Sequence, residues 1–523
     1  MAEVGAGPRV QAGAMTVAGL LETGAAGDVA LAAPGRAALT FRGLREHLAK
    51  TSTALNAAGV GRGDRVAIVL PNGPEMASAF LSVAASASTA PLNPAYREDE
   101  FDFYLSDLRA KALIVEAGSE TPALAVARQQ GIAVLELHPE ADGPAGLFTL
   151  AGDGPGGTPA TGGFAEPGDE ALVLHTSGTT SRPKIVPLTQ TNICASARNI
   201  RQTLTLSPGD RCLNIMPLFH IHGLIAATLS ALGAGGRVFC SPGFNALRFF
   251  AWLEESQATW YSAVPTMHQA VLTRAPRNQD IIAKAKLRFV RSSSASLPPQ
   301  VMADLEDAFG APVIESYGMT EAAHQMTSNP LPPAARKAGT VGVSAGPDVA
   351  VMDPAGNLLS AGAIGEVVIR GDNVTSGYEN NPKANAEAFT NGWLRTGDQG
   401  RVDDDGYLTI TGRLKEIINR GGEKISPREV DEVLMDFPAV AQAVTFALPH
   451  DKLGEEVAAA VVLREGAQAS EREIRDYAAT RLAGFKVPRQ VLILDEIPKG
   501  ATGKLKRIGL ADQLGLTGKG AAE

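Results

Sequence analysis

The chain has 523 residues, 45% hydrophobic and 20% charged, with a formal net charge of −9. That length and balance fit a folded protein with more than one domain and a large apolar core. The acidic balance argues against nucleic acid as a partner, and no apolar run of about 18 residues is present to cross a membrane.

Three cysteines, Cys194, Cys212 and Cys240, match no zinc spacing and are odd in number, which predicts buried structural thiols in a reduced compartment. The first residues lack a basic stretch followed by an apolar one, and the last four are Gly-Ala-Ala-Glu rather than a peroxisomal Ser-Lys-Leu. A cytoplasmic location is the expectation. Nothing in the sequence indicates an oligomeric state.

In chain order, residues 1–36 read as a helix with a loose start. Apolar residues at near-helical spacing (Phe41, Leu44, Leu48, Leu55) predict a helix over 39–58. A turn over 59–64 leads to a strand over 65–70, then a helix over 76–87. Strands over 111–115 and 132–137 flank a helix over 121–130. Strands alternating with helices argue for an α/β sheet, largely parallel. Residues 143–168 are dense in Gly, Pro and Thr and read as a linker.

An apolar run, 171–174, then enters Leu-His-Thr-Ser-Gly-Thr-Thr-Ser-Arg-Pro-Lys, residues 174–184. Hydroxyls, backbone N–H groups and two cations gathered after a strand suit a polyphosphate. The Walker pattern is absent, and a polar surface turn is the alternative reading. Further on, helices are predicted over 188–206 and 224–232. Strands are predicted over 211–216, 237–240, 260–264, 289–292 and 313–316, with 317–321 a loop. From about 339 to 410 the segments turn short, alternating and Gly-punctuated, a β-rich subdomain. Beyond Arg413 come a ribbon, two helices (427–436, 471–482) and three strands (440–447, 456–463, 491–494), a small α+β domain.

The second polar loop holds Glu315, Ser316, Tyr317, Gly318, Met319, Thr320 and Glu321. An aromatic can flank a base, a threonine can hold a phosphate, and a carboxylate can hold Mg²⁺. Asp398 suits a ribose diol, with Arg413 as a further donor. Taken singly, these are equally a capped turn, a core tyrosine and a surface salt bridge.

The ordered set Thr-Ser-Gly-Thr-Thr-x-x-Pro-Lys, Tyr-Gly-Met-Thr-Glu, Thr-Gly-Asp, Gly-Arg-x-Lys and a late Gly-Lys resembles the adenylate-forming superfamily, which includes acyl-CoA synthetases. The resemblance covers about residues 20 to 510. It implies a large N-terminal domain of mixed α/β sheets (1–412) and a small mobile α+β C-terminal domain (413–523), with the hinge at Lys415. It implies ATP and CoA as cosubstrates and Mg²⁺ as cofactor. Thr176, Ser177, Gly178, Thr179, Thr180 and Lys184 would cradle the terminal phosphates. Ser294, Ala295, Ser296, Glu315, Tyr317 and Gly318 would border the nucleotide, and Thr320 would meet the α-phosphate. Glu321 would bind the metal, Asp398 and Arg413 the ribose. Lys504 would be the adenylation lysine, and Gly421 and Gly422 would let the CoA arm pass.

Three of the eight histidines, His220, His222 and His324, fall in loops expected to line the pocket. His324, followed by Gln-Met-Thr-Ser-Asn-Pro-Leu-Pro, resembles the oxalate–CoA ligase branch. Oxalate is a small dianion, so its second carboxylate needs donors in a short pocket; His220, His222, His324, Ser294 and Ser296 are candidates. Another small acid, such as glycolate or malonate, and an adenylating domain that loads a carrier protein are the alternatives. Ile185 departs from the superfamily, where glycine usually follows the lysine, and is expected to alter the mobility of the phosphate loop.

Overall fold

The computed structural model describes residues 15–176, 183–498 and 507–517. Two large sheets form the N-terminal part. The first runs, in spatial order, Val343–Ser344, His324–Ser328, Val313–Met319, Phe289–Ser292, Trp260–Ala263, Arg211–Asn214, Arg237–Cys240, Val29–Ala32, Leu39–Thr40. From Val313–Met319 through Val29–Ala32 the pairing is parallel, and antiparallel strands close both edges. The second sheet runs Phe148–Ala151, Ala133–Pro139, Ala112–Glu116, Arg65–Val69, Ser88–Pro91, Glu170–His175, Ile185–Thr189, again parallel inside and antiparallel at its edges. Parallel strands must be covered on both faces. Accordingly Arg65–Val69 and Ala112–Glu116 are buried along nearly their whole length.

Helices Phe41–Ala57 and Pro74–Ala84 pack between the sheets. The first begins where Thr40 accepts a bond from Gly43 N and buries Phe41, Leu44, Leu48 and Leu55, the spacing read from the sequence. All three cysteines are buried and free. No helix among the described residues is long and apolar enough to cross a membrane.

Several local expectations change. Among the described residues of the stretch expected to be one helix, only Val17–Leu20 and the turn Leu21–Thr23 are helical, and Val29–Ala32 is a strand of the first sheet. Strand Ser88–Pro91 and helix Glu98–Leu108 follow a region where only a helix was expected. The linker contains the edge strand Phe148–Ala151. The stretch expected as a loop at Tyr317 continues the strand to Met319, and only Thr320–Ala322 turns, as a short 3₁₀ helix.

The β-rich region forms a separate five-stranded antiparallel sheet of Asp348–Met352, Gly365–Arg370, Phe389–Thr390, Trp393–Val402 and Leu408–Arg413. Its last strand ends at Arg413, and Lys415 sits exposed in the turn that follows. From Ile418 the chain builds another sheet, Glu423–Ile425, Ile418–Arg420, Gly454–Leu463, Val440–His450 and Gln490–Ile493. Helices Pro427–Met435 and Glu471–Ala479 cover it with an apolar core of their own. Contacts tie this part to the preceding sheet: Arg428 Nη1 donates to Ile410 O at 2.8 Å, and Ser426 Oγ donates to Thr411 O.

Candidate active site

In open parallel sheets, ligands bind beyond the carboxyl ends of the strands. Here the loops leaving Arg211–Asn214, Phe289–Ser292 and Val313–Met319 all emerge at that end and carry the candidate residues.

The phosphate-loop candidate is a hairpin. Glu170–His175 leads in and Ile185–Thr189 returns antiparallel, with His175 opposite Ile185. Its feet are tied: Thr176 N donates to Lys184 O at 2.9 Å, and Lys184 N donates to Thr176 Oγ1 at 3.3 Å. Ser177, Gly178, Thr179 and Thr180 lie outside the described residues, as does Lys504. Ile185 is 4% exposed and packs in the cluster of Val69, Phe101 and Val173. The branched side chain therefore fixes the loop's exit to the core.

Across from the exit, Lys184 Nζ lies 4.3 Å from the centroid of the Tyr378 ring, and Tyr378 Oη donates to Glu321 Oε1 at 2.8 Å. Glu321 is 6% exposed. Burial raises its pKa, opposed by the Tyr378 bond and the Lys184 charge. Tyr378 had no signal in the sequence; its role depends on a segment folding back from the five-stranded sheet. Next to it, Glu379 N donates to Ile185 O at 3.2 Å, and the Glu379 carboxylate pairs with Arg65 and Arg109. That network fixes the segment against the loop exit.

Tyr317 Oη donates to Asp398 Oδ2, and Arg413 Nε donates to Asp398 Oδ1 at 3.1 Å. Asp398 and Arg413 are also direct partners in the sheet register. These three form one group. Gly318 stands beside it for a steric reason: a Cβ there would lie 1.7 Å from the His324 carbonyl oxygen. Glu315 does not face the open pocket. It is 1% exposed beneath the 293–297 loop, where Oε1 accepts from Leu297 N at 3.0 Å. Burial raises its pKa to about 7. Ala295 and Ser296 are exposed on that loop, and Thr320 is half-buried.

The histidines divide. His222 is fully buried at the start of a π-helix, His222–Leu229, a geometry found at functional sites. Asn214 Nδ2 holds that helix by donating to Gly223 O at 3.2 Å and Thr228 Oγ1 at 3.0 Å. His324 is 2% exposed, its ring centroid 5.0 Å from that of His222. Nδ1 of His222 lies 3.0 Å from Ser294 Oγ. Ser294, Ala323 and His324 have φ of +72°, +47° and +100°, left-handed values uncommon outside glycine and held only where the surroundings over-determine them. His220 is half-buried, and its Nδ1 accepts from His222 N at 3.4 Å. The structure thus gathers His222, Ser294 and His324 at one wall, with His220 alongside.

Behind the wall lies Arg291, in the middle of the parallel strand Phe289–Ser292 and 0% exposed. A charged residue inside a buried parallel strand is itself a signal in the sequence, since such positions are otherwise apolar.

Turn Gly421–Gly422, with φ of +60° and +100°, closes the ribbon of Ile418–Arg420 and Glu423–Ile425. Both residues are exposed.

A hairpin whose foot, Lys184, stands beside the tyrosine that bonds a buried carboxylate, a tyrosine–aspartate–arginine group, and a small α+β unit after a sheet end are the marks of a two-part nucleotide-binding enzyme. The chain belongs to the AMP-binding enzyme family, whose model matches residues 22–379, with the AMP-binding enzyme C-terminal domain matching 429–504. It is 45% identical to the oxalate–CoA ligase of Arabidopsis thaliana, over 94% of this chain and 97% of that one. It is 43% identical to the oxalate–CoA ligase of Saccharomyces cerevisiae, over 87% of each. Among solved structures, ATP-bound MatB from Rhodopseudomonas palustris overlaps with a TM-score of 0.85 at 28% identity, over 94% of this chain and 97% of that one.

Proposed function

We propose that the chain is an ATP-dependent oxalate–CoA ligase, forming oxalyl-adenylate and then oxalyl-CoA with release of pyrophosphate and AMP. The observation that carries the choice of acid is the wall formed by buried His222 and His324 with half-buried Ser294. It offers hydrogen-bond donors to a small polar anion. The identities to two oxalate–CoA ligases support the same reading.

In the first step an oxygen of one oxalate carboxylate attacks the α-phosphorus of ATP. The new carboxyl–phosphate bond forms as the bond to the bridging β-oxygen breaks, and pyrophosphate leaves. Positioning and charge compensation supply most of the rate. Thr176, Lys184 and residues 177–180 hold the terminal phosphates, Thr320 the α-phosphate, and Asp398 and Arg413 the ribose. Tyr317 fixes Asp398 for that contact, while the 294–296 segment and Gly318 border the base and the reacting carboxylate. Glu315 supports that segment from below.

Glu321 fits Mg²⁺. It is one buried carboxylate beside Lys184, with one oxygen bonded by Tyr378, and Mg²⁺ takes one or two carboxylates together with phosphate oxygens. Substrate phosphate oxygens and water would supply the remaining ligands. When bound, Mg²⁺ supplies neutralising charge to the phosphates.

Lys504 serves the adenylation step. The domain beyond residue 412 then turns at Lys415, withdrawing Lys504 and presenting the Gly421–Gly422 turn, whose lack of side chains lets the pantetheine arm pass. The CoA sulfur attacks the acyl carbon, the bond to AMP breaks, and the thiol proton passes to solvent.

Acid-dependent exchange of labelled pyrophosphate into ATP, without CoA, tests the first step alone. Oxalate is expected to support exchange well above glycolate, malonate and octanoate. Strong exchange with octanoate and none with oxalate overturns the reading.

A further inference from the structure

Arg291 is among the largest fully buried side chains of the molecule. Its side-chain partners among the described residues include no carboxylate: Ser262 Oγ at 3.3 Å and His222 Nε2 at 3.5 Å from Nη1, and Gln325 Oε1 at 3.4 Å from Nη2. Nε has no hydrogen-bond partner among those residues. Burial lowers the pKa only to about 9, so the group stays charged near neutrality. A buried charge is costly unless it is paired. Gln325 is oriented for this contact, because its Nε2 is occupied by Thr203 Oγ1 at 3.1 Å and Ala345 O at 3.2 Å, which turns Oε1 toward the guanidinium.

The sheet aligns the next member. Ser262 pairs with Arg291 in the register, and Asn214 pairs with Ser262. Ser262 Oγ lies 2.6 Å from His222 Nε2, and His222 Nδ1 lies 3.0 Å from Ser294 Oγ. Arginine can only donate. Nη1 faces both Ser262 Oγ and His222 Nε2, so both accept from it; with Nε2 unprotonated, the Ser262 hydroxyl proton turns to that nitrogen. With Nε2 accepting, the imidazole proton sits on Nδ1 and points at Ser294 Oγ. Ser294 accepts there, and its hydroxyl proton is left to donate onward. One fixed cation thus sets the direction of every bond in the chain Arg291, Ser262, His222, Ser294. Bonds aligned head to tail also reinforce one another.

We propose that Arg291 is a specificity-determining positioning residue: through Ser262 and His222 it fixes Ser294 as a donor toward the acid's non-reacting carboxylate, and its buried charge offsets the second charge of a dianion. This rests on reading His222, Ser294 and His324 as the acid-binding wall. It predicts selection for two charges, and not merely for small size.

The test compares oxalate with oxamate, which has the same shape but an amide in place of one carboxylate. For wild type, Arg291→Met and Arg291→Lys, the oxalate KM, the oxamate inhibition constant and the Kd of ATP are measured. Arg291→Met is expected to raise the oxalate KM at least about tenfold, with oxamate and ATP within about twofold; Arg291→Lys regains part of the oxalate preference. An unchanged oxalate-to-oxamate ratio in a variant that still binds ATP overturns the proposal, as does an equal loss for both acids. If Arg291→Met does not fold, Ser262→Ala cuts the chain with the guanidinium in place. A rise of about threefold or more in the oxalate KM alone is then expected, and equal changes for both acids contradict it. Should wild type activate malonate instead of oxalate, the acid assignment fails, and the same comparison is read with malonate against its half-amide.

Discussion

Replacing Glu315 by Gln isolates one buried carboxyl that supports the 293–297 loop. The side chain is 1% exposed, with Oε1 bonded by Leu297 N at 3.0 Å and no partner for Oε2 among the described residues. Burial lifts its pKa from 4.5 to about 7. Because the folded value exceeds the unfolded one, the proton binds the folded state more tightly. Its contribution to stability is fully present below the unfolded value and is lost as pH rises through the folded one. At about 1.4 kcal/mol per tenfold change, the full loss is roughly 3 kcal/mol, of which about 2.5 kcal/mol falls between about pH 5 and about pH 8. Glutamine keeps the acceptor for Leu297 and stays neutral at every pH. Stability measured by urea unfolding is expected to favour Glu315→Gln over wild type by about 2.5 kcal/mol more at about pH 8 than at about pH 5. Tryptophan fluorescence is a suitable signal, since Trp252, Trp260 and Trp393 all lie before the small domain. An equal difference at both pH values would falsify the assignment of a neutral buried Glu315.

The other predictions concern turnover. Tyr378→Phe removes the donor to the buried Glu321 carboxylate, a charge-assisted bond of about 1.5–3 kcal/mol. The Mg²⁺ concentration giving half-maximal pyrophosphate exchange should shift about tenfold or more, and an unshifted titration contradicts the role given to Glu321. His324→Ala should raise the oxalate KM and leave that for ATP unchanged; steady-state kinetics showing the same oxalate KM count against the acid-binding wall. Lys504→Ala should abolish adenylation yet retain thioester formation from supplied oxalyl-adenylate, and equal loss of both steps refutes its assignment to the first step.

The motifs were legible where chemistry dictated residue type. Asp398 and Arg413 read together as a ribose site and Tyr317 apart from them; the structure joins all three, the pair by sheet register and Tyr317 by its hydrogen bond to Asp398. The strand returning from the phosphate-loop candidate was not legible, because Ile-Val-Pro-Leu-Thr contains Pro187. Proline breaks interior strands but is tolerated at an edge, and Ile185–Thr189 is an edge strand. Strand Ser88–Pro91 is Ser-Thr-Ala-Pro, without an apolar run; burial between two neighbouring strands decides its conformation. Helix Glu98–Leu108, by contrast, carried a readable signal in Phe101, Leu105 and Leu108, which share its buried face. Tyr378 and the direction of the Arg291 chain depend on contacts between distant segments, which periodicity does not encode.

Selection of oxalate over other acids for transfer to CoA is directly measurable. An equimolar mixture of oxalate, malonate, glycolate and octanoate, supplied with ATP, Mg²⁺ and CoA, can be resolved by mass spectrometry of the thioesters formed. Oxalyl-CoA as the dominant product is the predicted result; dominance of any other thioester, with oxalyl-CoA absent, contradicts the account.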